Sequence, residues 1–146
     1  MRGEVANPPL TLFERIWSRH RVLEREDGQT LLYVDRHFLQ DGSAPAFEML
    51  RQRGLTPRAP ARAMGTPDHY VPTDSRDLTT IADPEKRAMA EALMRDGANA
   101  GIMVFALGDP RQGIVHVVGP EQGLSQPGMV IVCGDRNRTD RAFDTK

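Results

Sequence analysis

The sequence predicts an α/β fold in which a mostly parallel sheet is flanked by helices. Helix signals dominate the first two thirds of the chain, and three β-rich runs follow at 101–107, 113–118 and 129–133. These runs are continuously apolar, which is typical of strands that are covered on both faces. With 146 residues, the chain is expected to fold as one domain.

The first helix is predicted from a capping box formed by Thr11 and Glu14. Its apolar residues fall at helical spacing and are expected to bury one stripe, formed by Leu12, Phe13, Ile16 and Trp17. An Asp-Gly pair at 27–28 then predicts a turn, and the β-favouring run 30–34 predicts a strand. Residues 1–10 contain two prolines and no periodicity, so they are interpreted as a flexible lead-in.

Two further helices are predicted from their ends. Pro45 suits the first helical position of the second helix, and Gly54 can take the left-handed conformation that ends it. Asp83 is the predicted cap of the third helix, which is expected to end at Gly97. The residues expected to cover the core are Phe47, Met49 and Leu50 in the second helix and Ala88, Met89, Ala92 and Leu93 in the third.

Composition excludes several classes of function. Lys+Arg 19 against Asp+Glu 20 gives a net charge of -1, which provides no field to attract nucleic acid or an anionic membrane. No apolar run approaches the roughly 18 residues of a membrane span, and no secretion signal is recognisable, so a cytoplasmic location is expected. Cys133 is the only cysteine, so a disulfide within the chain is impossible and a metal site has at most one thiolate.

Polar residues just after predicted strands are the candidates for chemistry, because open α/β sheets bind ligands at the carboxyl ends of their strands. Asp68 and His69 follow a possible short strand near 61–64 in a proline-rich loop, and Asp109 and Asp135 follow two of the later runs. A carboxylate beside an imidazole can fix its tautomer and raise its basicity, as proton transfer near neutral pH requires. The alternative is that Asp68 only caps a turn.

The other histidines have both structural and catalytic interpretations. Strand alternation places His116 on the same face as Ile114 and Val118, inside a run that is expected to be buried. His116 is then either a core histidine bonded to a backbone carbonyl or a proton-transfer residue. His20 lies near the end of the first helix, where a cation is favoured, and His37 follows a strand; both are interpreted as structural.

Five strings occur in a recognisable order: TLFERIW at 11–17, LLYVDRH at 31–37, DHYVPT at 68–73, GDPRQGIVHVVGPEQGLSQPGM at 108–129 and IVCGD at 131–135. In this order and spacing, they resemble the opening region of 3-isopropylmalate dehydratase large subunits, which belong to the aconitase family. The resemblance implies a flexible lead-in at 1–10, an incomplete aconitase-like α/β domain at 11–135 and a divergent tail at 136–146.

The resemblance also implies an activity and a set of site residues. The family is a hydro-lyase of leucine biosynthesis that interconverts 2- and 3-isopropylmalate by removing and re-adding water at a [4Fe-4S] cluster. Motif matches imply active-site roles for Asp68 and His69 (the DH pair), His116 (the GIVH strand) and Asp135 (the GDSHT motif). The implied partners are the dehydratase small subunit, the missing large-subunit domains and a small hydroxy-dicarboxylate substrate, with no nucleic acid or membrane.

The chain departs from the family pattern in several places. Arg136 and Asn137 replace the serine and histidine of GDSHT, and Pro45 replaces the glutamine of an SPQAF-like segment. The family's cluster cysteines lie beyond the end of this sequence and Cys133 is not one of them, so no cofactor is expected in the chain itself. The fragment alone is therefore expected to be inactive. The alternatives are a non-catalytic module that binds the small subunit or a dicarboxylate, and a decayed gene product.

Overall fold

The computed structural model describes residues 9–134 and has the predicted α/β architecture. Its helices are α1 (Leu12–His20), α2 (Ala44–Gln52), α3 (Pro84–Asn99) and α4 (Val115–Glu121). Its strands are β1 (Arg21–Glu24), β2 (Thr30–Leu32), β3 (Arg36–Leu39), β4 (Ala63–Gly65), β5 (Met103–Val104) and β6 (Ile131–Cys133). The strands β5 and β6 occupy only parts of the predicted runs 101–107 and 129–133. Within the described residues, no helix is long and apolar enough to cross a membrane.

A four-stranded parallel sheet with the order β5-β4-β3-β6 forms the centre of the fold. On one face, Phe38 and Met64 pack with Val115 of α4. On the other face, Leu39 packs with Leu93 of α3 and Phe47 of α2. The sheet is therefore covered by helices on both sides, as the continuous apolar runs predicted.

The first helix forms where it was predicted, but it does not bury the predicted stripe. The capping box is present: the Glu14 amide donates to Thr11 Oγ1 at 3.2 Å, and the Thr11 amide donates to Glu14 Oε2 at 2.7 Å. Leu12 and Phe13, however, are 75% and 67% exposed. Ile16 and Trp17 are half-buried, so the predicted burial is wrong for the first turn of the helix. The reason is that α1 is held at its last turn, where His20 is the buried residue.

The region after α1 contains more strand than the sequence indicated. The predicted turn is confirmed, with Gly28 at a φ of +82°, but it joins β2 to the unpredicted strand β1 in an antiparallel pair. The central strand β3 was also missed, because its two apolar residues follow the polar Arg36 and His37. His37 therefore lies within a strand, not after one.

The second helix begins at Ala44, one residue before the predicted position, and ends before Gly54 as predicted. Pro45 lies in its first turn, and Gly54 follows its end with a left-handed φ of +63°. Of the three residues expected to cover the core, Phe47 is buried, Leu50 is half-buried and Met49 is exposed. This helix covers the sheet chiefly through Phe47.

The third helix has the predicted start and runs past the predicted end. The Asp83 carboxylate accepts from the amides two and three residues later at 2.9 and 3.3 Å. The helix continues through Gly97 to Asn99, and Ala88 is exposed. A Cβ at Gly97 would lie 2.4 Å from Val104 Cγ2. Gly97 thus serves close packing of α3 on β5, and not helix termination.

The largest correction concerns the run 113–118, which was predicted as a strand and instead leads into α4. Val115 and Val118 are 0% and 3% exposed, and their spacing of three residues is that of a helix face. Gly119 follows on the same face, where a Cβ would lie 2.6 Å from Phe38 Cε2. The β-branched residues favour a strand locally, but packing on β3 selects the helix.

Candidate active site

The candidate site lies just beyond the carboxyl ends of β3 and β4, where parallel sheets place their ligands. Asp68 Oδ1 and His69 Nδ1 are 2.6 Å apart. The second oxygen, Asp68 Oδ2, accepts from the amide of Val115 at the start of α4 at 2.8 Å. The Asp68 side chain is 3% exposed, and that of His69 is 35% exposed. The loop after β4 and the start of α4 together hold one buried carboxylate against a partly exposed imidazole.

This pair has the geometry of an oriented proton carrier. When Nδ1 of His69 carries a proton, it donates to the Asp68 carboxylate, and Nε2 becomes the ring atom that exchanges a proton with a ligand. The carboxylate also favours the imidazolium form electrostatically. Because Asp68 is bonded on both oxygens, it holds the ring in one orientation, as the buried aspartate does in catalytic triads.

Asp41 is a site residue that the sequence did not predict. Its Oδ2 accepts from three successive amides, those of Asp68, His69 and Tyr70, at 3.1, 2.7 and 3.1 Å. The residue is 0% exposed. Burial raises the pKa of the Asp41 carboxyl, the three amide bonds oppose that rise, and the charge of Asp68 adds to it. Position after a strand could have identified Asp41, but β3 was not recognised.

His116 and Asp135 are the other two site residues predicted from the motif matches. His116 lies in the first turn of α4 and is exposed, so its predicted burial in a strand beside Ile114 and Val118 is wrong. It follows the residue whose amide binds Asp68, which brings this segment of backbone to the dyad. Asp135 lies outside the described residues.

Asp109, the third carboxylate expected after a strand, is engaged in a local ion pair. Its Oδ2 lies 2.7 Å from Arg111 Nη2, and its Oδ1 accepts from the Arg111 amide at 2.8 Å. Hydrogen bonds from the Arg111 side chain and amide lower the pKa of Asp109 to about 2. A carboxylate with this pKa is a poor proton carrier near neutral pH.

His20 has a structural position. Its Nδ1 lies 2.7 Å from the carbonyl oxygen of Ile16, and its Nε2 lies 2.7 Å from Asp35 Oδ2. His20 therefore links the last turn of α1 to the segment between β2 and β3.

Three side chains of the site carry atoms that can act as metal ligands. Asp41, Asp68 and His69 each offer one ligand atom within 4.8 Å of the others. Asp41 Oδ2, both oxygens of Asp68 and His69 Nδ1 already bond to one another or to backbone amides, so we interpret the group as a hydrogen-bonded network. Asp41 Oδ1 is the exception, since it is buried and has no hydrogen-bond partner among the described residues. An iron-sulfur cluster requires several thiolates, whereas Cys133 is the sole cysteine of the sequence and packs against the core around Phe38. The residues present do not fit such a cluster.

Comparison with known protein families gives a match over most of the chain. A family model described as "Aconitase family (aconitate hydratase)" matches residues 14–137. The matched range contains all six strands and the four predicted site residues, Asp68, His69, His116 and Asp135.

Proposed function

The chain belongs to the aconitase family, and on that premise we propose that it is the part of a 3-isopropylmalate dehydratase that carries an acid-base pair, Asp68 and His69. The observation that carries the proposal is the 2.6 Å contact between Asp68 Oδ1 and His69 Nδ1 at the carboxyl end of β4. Family membership supports a hydro-lyase-type relationship in general. The string at 108–129 supports the isopropylmalate branch of the family.

The proposed chemistry is proton transfer to and from the hydroxyl of the substrate. In dehydration, the His69 imidazolium donates its Nε2 proton to the departing hydroxyl, which leaves as water with the electron pair of its C–O bond. A base supplied by the proposed partner domains takes the proton of the adjacent carbon, the electron pair of that C–H bond forms the double bond, and the same base returns the proton in hydration. In hydration, the neutral ring takes a proton from the incoming water. Asp68 keeps the ring in the tautomer that this exchange needs and stabilises the imidazolium. The partial exposure of His69 is compatible with access by a small hydroxy-dicarboxylate.

In this proposal the chain contributes only part of a complete site. One cysteine cannot supply the thiolates of a [4Fe-4S] cluster, so these ligands would come from elsewhere, and the chain alone would lack dehydratase activity. Arg136 and Asn137, at the serine and histidine positions of GDSHT, point the same way. The proposed partners are the remaining large-subunit domains and the dehydratase small subunit.

A chimaeric enzyme tests the proposal directly. Residues 11–134 replace the corresponding segment of a 3-isopropylmalate dehydratase large subunit, which is expressed with its small subunit and reconstituted anaerobically with iron and sulfide. We expect turnover of 3-isopropylmalate, and we expect His69→Gln to lower kcat by about 10²–10⁴-fold. His37→Gln, at an exposed histidine on β3, is the matched control and should retain activity.

Two results would count against the proposal. A chimaera whose His69→Gln variant turns over 3-isopropylmalate as fast as the unmodified chimaera would remove the acid-base role. A chimaera that acts on citrate and not on 3-isopropylmalate would keep that role but reject the isopropylmalate assignment.

A further inference from the structure

Two consecutive side chains at the end of the central strand hold the segments that follow both neighbouring strands. Gln40 Nε2 donates to the carbonyl oxygen of Gly134, just after β6, at 3.0 Å. Asp41 Oδ2 accepts from the three amides of residues 68–70, after β4. We propose that both are positioning residues, Asp41 for the acid-base pair and Gln40 for the backbone at Gly134, just after β6. The inference rests on the proposed function, since it assigns the two side chains a role relative to that site.

The ladder hydrogen bonds do not account for these contacts, because they stop short of the site. The β3-β4 pairing reaches Leu39 opposite Gly65, and its continuation is the bond from the Thr66 amide to the Leu39 carbonyl at 3.1 Å. The β3-β6 pairing reaches Phe38 opposite Cys133. Gln40 and Asp41 therefore act beyond the last ladder contacts, where the chain would otherwise have no sheet partner to fix its direction.

The geometry of Asp41 is that of an orienting group. A single oxygen that binds three successive amides constrains the backbone on both sides of His69, and so constrains the direction of the Asp68 and His69 side chains. A fully buried carboxylate is costly unless it receives charge-assisted hydrogen bonds, and the three amides supply these to Oδ2. Oδ1 is buried without a hydrogen-bond partner among the described residues.

The charge of Asp41 has a further consequence for the imidazole. Asp41 and Asp68 lie close enough for mutual repulsion to contribute to the raised pKa of Asp41. One oxygen of Asp41 and one of Asp68 lie within 4.8 Å of the same ring nitrogen of His69, so removing the Asp41 charge is expected to change the titration of the ring. A neutral acceptor at position 41 could anchor the loop, but it would not supply this second charge.

Gln40 is held in a comparable way at both ends of its side-chain amide. It is 5% exposed, its Oε1 accepts from the Gly42 amide at 2.5 Å, and its Nε2 reaches Gly134. A buried amide with both ends bonded has little rotational freedom. The Gln40 side chain therefore offers Gly134 a donor in a fixed direction.

The test uses nuclear magnetic resonance of the 146-residue chain, reading amide exchange at 68–70 and the titration of the His69 ring. We expect Asp41→Ala to accelerate exchange at 68–70 by about tenfold or more relative to the β3-β4 ladder, and to lower the His69 midpoint. Asp41→Asn keeps an acceptor without the charge. Its amides at 68–70 should therefore exchange nearly as slowly as in the wild type, while its His69 midpoint should be as low as in Asp41→Ala. Asp96→Asn, which removes another buried carboxylate, should change neither reading.

The role of Gln40 is tested by a separate measurement. Gln40→Glu removes the donor to Gly134 while conserving size, and it should shift the Gly134 resonances and leave exchange at 68–70 unchanged. If Asp41→Ala does not fold, the Asp41→Asn midpoint decides the proposal for Asp41. The proposal for Asp41 would be overturned if its variants kept the wild-type amide exchange at 68–70 and the wild-type His69 midpoint. It would also be overturned if Asp41→Ala accelerated exchange equally at every amide of the chain. Because no reading requires substrate, cluster or partner, the result is separate from that of the chimaera.

Discussion

His20 Nε2 lies 2.7 Å from Asp35 Oδ2, and the same carboxylate oxygen accepts from the Val130 amide at 2.8 Å. One carboxylate oxygen therefore connects the end of α1 to the residues that precede β3 and β6. The other ring nitrogen faces the Ile16 carbonyl, so both nitrogens of His20 point at acceptors. Only the imidazolium form donates from both, and this arrangement makes the charged ring the better fit.

The stability of the fold is predicted to depend on pH through His20. The hydrogen bond to the Ile16 carbonyl is the largest influence on the His20 pKa and raises it above the ordinary value of 6.5. Burial opposes that rise, Asp35 adds to it through its hydrogen bond and its charge, and Arg19 has the smallest, lowering effect. The stabilising contribution should thus be complete below pH 6.5 and decline as pH rises through the raised pKa. Urea unfolding of the wild type and His20→Gln between pH 5 and 9 measures it. A difference between the two proteins that grows with rising pH would contradict the prediction.

The packing of α4 on β3 is predicted to tolerate no side chain at position 119. Gly119→Ala places a Cβ 2.6 Å from Phe38 Cε2, and overpacking of this kind costs about 1–3 kcal/mol in the free energy of unfolding. Chemical denaturation gives the value. Gly108→Ala is the control, because a Cβ there meets no atom within 4 Å and should change stability much less.

Replacing a core leucine is predicted to lower the free energy of unfolding much more than replacing an exposed leucine. Leu93 is 0% exposed between α3 and the sheet, so Leu93→Ala should lower the free energy of unfolding by about 2–5 kcal/mol. Leu12 is 75% exposed, and Leu12→Ala should stay within about 0.5 kcal/mol. Equal losses in the two variants, measured by urea titration, would indicate that α1 is packed against the rest of the chain.

In the chimaeric dehydratase, Asp68 is predicted to act through His69. Asp68→Asn leaves an amide that no longer stabilises the imidazolium, so kcat should fall by about 10²–10⁴-fold with a smaller change in KM. Asp109→Asn serves as the comparison, because that carboxylate is engaged with Arg111 and should be dispensable. Steady-state kinetics on 3-isopropylmalate distinguish the two. A larger fall in kcat for Asp109→Asn than for Asp68→Asn would contradict the role assigned to Asp68.

Features that depend on neighbouring residues could be predicted from the sequence. The capping box of Thr11 and Glu14, the cap at Asp83 and the left-handed Gly54 all formed as expected, because each is satisfied within a few residues of chain. The position of Asp68 and His69 after a strand also followed from local order. The short strand β3 could not be predicted this way, because only two of its four residues are buried.

The sequence by itself determined the family, the α/β class and the place of the Asp68–His69 pair, since these follow from motifs and from local apolar runs. Tertiary structure decided that α4 is a helix and that Asp41 belongs to the site. Asp41 meets the amides of 68–70 at sequence separations of 27 to 29, and α4 is selected by the fit of Gly119 against Phe38. Contacts between residues so far apart exist only once the sheet has brought its strand ends together.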